Sequence, residues 1–138
     1  MISIELFLCK FGINKTSNFD LLDISNDLEI PVKVLMKDEL KIKHIESEIP
    51  LIINYQNVNQ KGIHWVGYFK KYYFDSYGLP PLKELENFVN EYNKNDFQSN
   101  MNVEYCGQLS LYVLYKLYNN IKFSDIINEI NLFLQSFI

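Results

Sequence analysis

Cys106 is a candidate nucleophile in this chain of 138 residues. It directly precedes an apolar stretch that is predicted to form a buried helix. Its thiol would therefore lie at the positive end of the helix dipole, beside backbone N–H groups that have no partner within the helix. Both features favour the thiolate, which is the nucleophilic form of cysteine. Gly107 follows and leaves open space where a substrate would approach the sulfur.

Three further residues have side chains that would support a thiol nucleophile. His64 starts a predicted strand beside Trp65, and a histidine at a strand end can act as the base for a thiol across a cleft. Asp75 ends the next predicted strand, and it would lie near His64 and orient the imidazole if the two strands pair antiparallel. Gln98 carries an amide donor that would face a developing oxyanion. Each residue also has an ordinary structural explanation, so the hypothesis depends on their combination.

The strands and the helix that must position these residues follow from the apolar pattern. Residues 51–55, 64–69 and 72–75 are predicted as strands of an antiparallel meander, and a tight turn at 70–71 joins the last two. Residues 107–118 are apolar on nearly all faces, which is typical of a buried helix.

The remaining segments are predicted to form short elements around this meander. Residues 2–11 are apolar and their periodicity does not distinguish a helix from a strand. Residues 18–29 predict a short helix with Asn18 as its cap, and residues 32–36 predict a strand. Residues 37–49 are predicted as a loop with one helical turn.

Downstream of the meander the pattern predicts two amphipathic helices. The first spans 81–92 and the second spans 124–137 with Ser124 as its cap. The polar stretch after the first helix is predicted to be irregular and anchored by Phe97 and Val103. The expected fold class is α+β: a small mixed or antiparallel central sheet packed by helices, in one domain spanning residues 1–138.

Composition excludes several classes of protein. Hydrophobic residues make up 48% and charged residues 22%, which excludes disordered, collagen-like and fibrous chains. The net charge is −4 and the chain has no arginine, which is unfavourable for general nucleic-acid binding. No apolar run reaches the roughly 18 residues that a membrane helix needs, so no membrane partner is predicted. Residues 2–11 carry Glu5 and lack the basic segment of a signal peptide, so we expect an intracellular protein that is not secreted.

The cysteine and histidine residues do not have the spacing of a zinc site. Cys9 and Cys106 are far apart in sequence, and neither they nor His44 and His64 form the short pairs that zinc ligands require. We predict no metal and no cofactor, and reduced cysteines.

In chain order these motifs resemble a known group of enzymes. HWV at 64–66, YFDSYG at 73–78, Gln98 and CG at 106–107 are similar to the pattern of the adenain-like and ubiquitin-like-protease cysteine peptidases. That pattern is His-Trp, Asp or Glu, Gln, and Cys-Gly. The stretch YYFDSYGLPPLKEL resembles the FDSFG-x-PP segment of the branch that includes maturation proteases of virophages and Polinton-like elements. The resemblance covers about residues 18–130.

The resemblance implies a papain-like core and a role for each motif residue. His64 would be the base, Asp75 its orienting partner, Gln98 the oxyanion donor and Cys106 the nucleophile. Trp65 would pack beside the catalytic histidine and, with Gly107, border the substrate cleft.

Two positions depart from the family pattern. The interval from Gln98 to Cys106 is one residue longer than the pattern, so Asn100 and Asn102 are alternative oxyanion donors. Ser110 or a neighbour stands where relatives often carry a second cysteine, which the thiol mechanism does not require.

The resemblance further implies a cysteine endopeptidase that cleaves viral capsid or core precursor proteins after small residues such as glycine. Its location would be the virion and the host cytoplasm, and relatives use peptide or DNA activators. Two alternatives stay open: an isopeptidase that removes ubiquitin-like modifiers, and a non-catalytic relative that binds capsid or another partner. An acetyltransferase would need acetyl-CoA, and the sequence has no glycine-rich or basic loop to bind its phosphates.

Overall fold

The computed structural model of the chain describes residues 1–12, 17–56, 64–99 and 105–136. These residues form an α+β fold in which helices pack on a mixed sheet of five strands. In chain order the elements are α1 (Ile4–Phe11), α2 (Asn18–Asp27), β1 (Lys33–Met36), a 3₁₀ turn (Lys37–Glu39), α3 (Ile42–Ile45), β2 (Leu51–Asn54), β3 (Trp65–Phe69), β4 (Tyr72–Asp75), β5 (Glu91–Tyr92), α4 (Cys106–Tyr118) and α5 (Phe123–Gln135).

The sheet has the strand order β1-β2-β3-β4-β5. β2, β3 and β4 are antiparallel to one another, which confirms the predicted meander, whereas the outer strands β1 and β5 each run parallel to their neighbours. Lys70 and Lys71 form the predicted tight turn, with φ values of 47° and 76°. Positive φ at both central residues matches the twist of the two strands that they join.

The two faces of the sheet bury separate clusters. Helices α1, α2, α4 and α5 cover one face, to which Trp65 and Phe74 contribute their side chains. The other face carries Val66 and Tyr73 and packs against α3 and the segment that follows β4. α4 lies directly against β3. Gly67 of β3 allows this close packing, since a Cβ atom there would lie only 3.3 Å from Leu114 Cγ. The predicted buried helix is therefore confirmed, and its first residue lies at one end of β3.

The predicted helix over 81–92 is wrong. Leu85 N–H donates to Leu82 C=O (2.9 Å) and Phe88 N–H donates to Leu85 C=O (2.8 Å), which are turn bonds between residues three apart. Leu82 and Leu85 are buried in the second cluster, as a helix would also bury them. After these turns Glu91 and Tyr92 form β5, whose backbone groups pair with the edge of β4.

Two predicted helix caps are displaced, by one residue at α2 and by two residues at α5, where Lys122 is the N-cap. Ser17, and not Asn18, caps α2: Ser17 Oγ accepts from Asp20 N–H (3.2 Å), and the Asp20 carboxylate accepts from Ser17 N–H (3.0 Å). This reciprocal pair satisfies two N-terminal donors at once. Ser124 lies inside the first turn of α5, because the helix already begins at the buried Phe123.

The ambiguous segment 2–11 contains helix α1, which ends at Gly12, where φ is 83°. Val103, a predicted anchor, lies outside the described residues, and Phe97 is buried as predicted. Within the described ranges, every helix is too short or too polar to cross a membrane.

Candidate active site

β3 and β4 separate at one end of the sheet, and this separation makes room for a third element. Their last paired residues are Val66 and Asp75. One residue further, the carbonyl of Ser76 accepts a hydrogen bond from Phe97 N–H (2.7 Å). The two strands therefore diverge after Asp75, and other parts of the chain reach their backbone groups.

Cys106 lies at this divergence, on the β3 side. The Trp65 N–H donates to Cys106 Sγ at 3.4 Å, and one helical turn later Ser110 Oγ donates to Trp65 C=O at 3.3 Å. One residue of β3 thus holds the beginning of α4 at two points. Ser110, which was expected only to replace a second cysteine, contributes to the position of the nucleophile. Its spacing of four residues from Cys106 places both side chains on one face of α4.

His64 and Asp75 are in contact. His64 lies two residues before Val66, so its side chain points to the same face of the sheet as that of Asp75. The two side chains are diagonal neighbours, and His64 Nε2 lies 3.0 Å from Asp75 Oδ1. The predicted proximity of these two residues is confirmed.

Asp75 is fully buried, and its carboxylate position is defined by two donors. Oδ1 accepts from the Tyr77 N–H (2.8 Å) as well as from His64. The turn after Asp75 closes through Gly78, whose N–H donates to Asp75 C=O (2.8 Å). Gly78 has a φ of 71°, and a Cβ there would lie 2.7 Å from Asn95 O, so this turn requires glycine.

The imidazole of His64 lies between two tyrosine rings, with centroid distances of 5.8 Å to Tyr55 and 5.1 Å to Tyr77. Burial lowers the pKa of His64, but hydrogen bonds to Asp75 and Cys106 and the negative charges of both outweigh it and raise the pKa to about 9. Because Nε2 is engaged by Asp75, Nδ1 is the nitrogen available to the thiol. Nδ1 is buried and makes no hydrogen bond of standard geometry with a described residue, and such contacts often tighten only when substrate binds.

The N-terminus of α4 has the positive potential of a helix dipole, and no acidic side chain in its first turn neutralises it. Cys106 is 5% exposed, and the residue before the helix, Tyr105, makes no side-chain capping bond. The first turn of α4 has no acidic residue. Backbone N–H groups at Cys106 and Gly107 therefore lie where an anion beside the sulfur would be stabilised.

Gln98 is buried beside the same strand end. Its Oε1 accepts from Ser76 Oγ at 2.5 Å, and the neighbouring Phe97 carbonyl accepts from Tyr105 Oη at 3.3 Å. These bonds connect the Gln98 segment both to the end of β4 and to the residue before Cys106. Since Ser76 holds the carbonyl oxygen, the Nε2 end of the amide points away from Ser76. The alternative donors Asn100 and Asn102 lie outside the described residues.

Sequence reasoning did not identify Asn93. This buried residue follows β5, and its side chain bonds to both backbone groups of Asp75. A single asparagine after a two-residue strand has no pattern that would have indicated such a contact.

No family model matches the sequence, no curated protein is similar to it, and no solved structure matches the fold. The chemistry of the site must therefore be judged from its own geometry. In the described part of the chain, no group of three or more His, Cys, Asp or Glu side chains is arranged to hold a metal ion. The second cysteine, Cys9, is exposed on α1.

Gln98→Ala should lower kcat by about 10²–10³-fold and leave KM nearly unchanged, because an oxyanion donor acts only in the transition state. Alkylation of Cys106 by iodoacetamide should persist, since that reaction forms no tetrahedral oxyanion. Steady-state kinetics and alkylation rates together measure both effects, and Gln135→Ala, on an exposed turn of α5, is a matched control. Near-normal turnover in Gln98→Ala, with a large loss in Asn100→Ala or Asn102→Ala, would reassign the donor.

The raised pKa of His64 predicts a pH-dependent stability. Because the folded pKa of about 9 exceeds the ordinary value of 6.5, the protonated ring stabilises the fold fully below pH 6.5. This stabilisation is lost as the pH rises through 9. Urea unfolding should show that the stability difference between wild type and His64→Gln shrinks over this interval by up to about 3 kcal/mol.

His44→Gln is the control for this measurement. Burial and the nearby charges of Lys43, Lys33 and Lys41 lower the pKa of His44, so it is already neutral in that interval. An equal pH dependence in both variants would contradict the assignment of the stabilisation to His64.

Proposed function

We propose that this protein is a cysteine endopeptidase with a papain-like core and the catalytic order His64, Asp75, Gln98, Cys106. The observation that carries the proposal is the position of His64, which contacts a buried carboxylate through Nε2 and is close enough to Cys106 for the sulfur to influence its pKa. A thiol, a base and an oriented carboxylate are the parts that nucleophilic catalysis by cysteine requires.

The proposed reaction starts from the ion pair of the Cys106 thiolate and the protonated His64, in which the thiol proton has moved to His64 Nδ1. The thiolate attacks the carbonyl carbon of a peptide bond and forms a tetrahedral intermediate. The Cys106 N–H and the Gln98 amide donate to its oxyanion. His64 then protonates the leaving amine and the C–N bond breaks. Water, deprotonated by His64, attacks the acyl-enzyme, and the acid product leaves as the thiol is restored.

Asp75 supports each proton transfer in this scheme. Its contact with Nε2 holds the imidazole in one orientation and stabilises the positive ring that forms when Nδ1 accepts the proton. The raised pKa of His64 makes the ring a strong acceptor for the thiol proton. Asp75 is inaccessible to water, so its negative charge is weakly screened.

A cavity of about 280 Å³ beside Trp65 offers a place for substrate. It extends along the edge strand β1 and the beginning of α2, and its lining includes Val34, Leu35 and Met36. An edge strand suits an extended peptide, which can pair with it as a further strand. Neither this cavity nor a larger one of about 380 Å³, between 91–95 and α5, is lined by His64, Asp75, Gln98 or Cys106. We assign substrate to the smaller one because its lining includes Trp65, the chain neighbour of His64.

By the family resemblance, the substrates would be viral capsid or core precursors, cleaved in the virion or the host cytoplasm. A cleft narrowed by the bulky Trp65 would favour glycine at the cleaved bond, because any side chain there would meet the indole. Peptide or DNA activators belong to this proposal through the resemblance alone.

The test is incubation of the purified chain with candidate capsid or core precursors, followed by N-terminal sequencing of the fragments. Cleavage after small residues by wild type, absent in Cys106→Ala, supports the proposal. Labelling of Cys106 by a ubiquitin-like modifier with a reactive C-terminus, without precursor cleavage, would favour an isopeptidase. If no substrate is cut and Cys106 reacts with iodoacetamide no faster than an ordinary thiol, a non-catalytic binding protein is the better conclusion.

A further inference from the structure

Asn93 makes an unusual set of contacts beside the proposed triad. It follows β5 directly and only 4% of its surface is exposed. Its Oδ1 accepts from Asp75 N–H at 3.0 Å, and its Nδ2 donates to Asp75 C=O at 2.6 Å. Nδ2 also donates to the Asn95 carbonyl at 3.2 Å. One side-chain amide therefore engages both backbone groups of the aspartate.

Asp75 is still paired with Val66 of β3, but on its other side β5 does not extend far enough to pair with it. The ladder between β4 and β5 ends at the pair Tyr73 and Tyr92, two residues before Asp75. An asparagine amide has the same donor and acceptor as a peptide group. Asn93 thus extends the ladder with its side chain, at the point where β4 leaves β3.

The position of the Asp75 backbone determines where its carboxylate lies. An aspartate side chain has only two torsions, and this one is enclosed. Its Oδ1 must stay within hydrogen-bond distance of His64 Nε2, now at 3.0 Å, while it also accepts from Tyr77 N–H. A displacement of about 1 Å in a catalytic group can cost on the order of 10²-fold in rate.

We propose that Asn93 is a positioning residue for the reaction: it holds the Asp75 backbone so that the carboxylate stays on His64 while β3 and β4 diverge around Cys106. The inference rests on the proposed peptidase function. Asn93 acts through Asp75, and its contribution should appear in how His64 titrates and in the rate of turnover.

The titration of His64 is a direct readout because, among the described residues, the charged groups that act on its ring are Asp75 and Cys106. Asp75 approaches from β4 and Cys106 from α4, and the rings of Tyr55 and Tyr77 cover its sides. A displaced Asp75 would weaken the first of these contacts and move the pKa of His64 down. A residue that only stabilised the turn would change the melting temperature and leave the titration unchanged.

The experiment compares Asn93→Ala, Asn93→Asp and the control Asn95→Ala, all in a Cys9→Ser background so that Cys106 is the only thiol. Asn95 is exposed, and its backbone carbonyl is retained in the control. For each variant we measure the melting temperature, the pH profile of Cys106 alkylation, and kcat and KM for a cleaved peptide.

We expect Asn93→Ala to lower the pH of His64 deprotonation by about one unit and kcat by roughly 10–100-fold, with KM little changed. Asn93→Asp keeps the acceptor for Asp75 N–H but places an oxygen against Asp75 C=O. Its kcat should therefore fall at least as much as that of Asn93→Ala. Asn95→Ala should behave as wild type.

A folded Asn93→Ala variant with the wild-type pH profile and turnover would overturn the inference while leaving the peptidase proposal intact. If both Asn93 variants fail to fold, the inference is also overturned, because Asn93 is then needed for the fold itself. If wild type cleaves no peptide, the peptidase proposal fails, yet the alkylation profile still tests whether Asn93 controls the contact between Asp75 and His64.

Discussion

Cys106→Ala should reduce turnover by about 10⁴-fold or more, because it removes the atom that attacks the carbonyl and the other members of the unit cannot replace it. Cys106→Ser should be similarly inactive, since a hydroxyl is far harder to deprotonate than a thiol. The fold should survive both changes. The sulfur accepts a weak hydrogen bond from Trp65 N–H at 3.4 Å, and the loss of that bond should cost about 1 kcal/mol.

The measurement is hydrolysis of a cleaved peptide or precursor, with circular dichroism and melting temperature to verify the fold. Cys9→Ser is the matched control, because Cys9 is the other cysteine of the chain and is exposed on α1. Undiminished cleavage by folded Cys106→Ala would exclude the peptidase proposal. Faster alkylation at Cys9 than at Cys106 would show that the wrong cysteine has been assigned.

His64→Ala should reduce turnover about as much as Cys106→Ala does, because the thiol then has no base and the leaving amine has no acid. Alkylation of Cys106 should slow as well, since the ring also stabilises the thiolate. Turnover and iodoacetamide rates measured on the same samples check both effects. His44→Ala is the matched control: His44 lies on α3, where its Nδ1 accepts from the Lys41 N–H.

Asp75→Asn should lower turnover less than His64→Ala does. The amide can still accept from His64 Nε2 and hold the ring, but it cannot stabilise the positive imidazolium. Equal inactivation at both positions would mean that Asp75 does more than orient and stabilise His64. No effect of Asp75→Asn would mean that another residue supports the histidine.

Where local signals agree with long-range contacts, the sequence predicts this fold well. Continuous apolar residues bounded by turn residues predicted β2, β3 and β4, and the turn at Lys70 and Lys71 joins the last two as expected. An apolar stretch without a polar face predicted α4, which is buried along most of its length. In both cases the residues that define the pattern are also the ones that form the core.

Prediction failed where tertiary contacts competed with a local pattern. Residues 81–92 have helical spacing, but the carbonyl of Lys71, the residue directly before β4, accepts from Asn90 N–H (2.8 Å). This bond draws the chain along the sheet edge, and β5 forms instead of the last helical turns. The spacing identified Leu82 and Leu85 correctly as buried, because turns of three residues and helical turns bury similar positions.

The sequence by itself determined which chemical groups the site contains and which element ends carry them. His64 directly precedes β3, Asp75 ends β4, and Cys106 is the first residue of α4, and each of these placements follows the local pattern to within one residue. Antiparallel pairing then implied the contact between His64 and Asp75, because a tight turn of two residues leaves little freedom in the register.

Only the tertiary structure decided how the thiol reaches that pair. α4 packs on the face of the sheet opposite to the side chains of His64 and Asp75, so a flat ladder would have separated them from Cys106. The register of β3 and β4 ends at Val66 and Asp75, and the next residue of β3, Trp65, donates its N–H to Cys106 Sγ. Bonds between residues far apart in sequence hold this end of the sheet, such as those of Asn93 to Asp75 and of Ser110 to Trp65. No local periodicity encodes such contacts, because they form only after the sheet and α4 have packed.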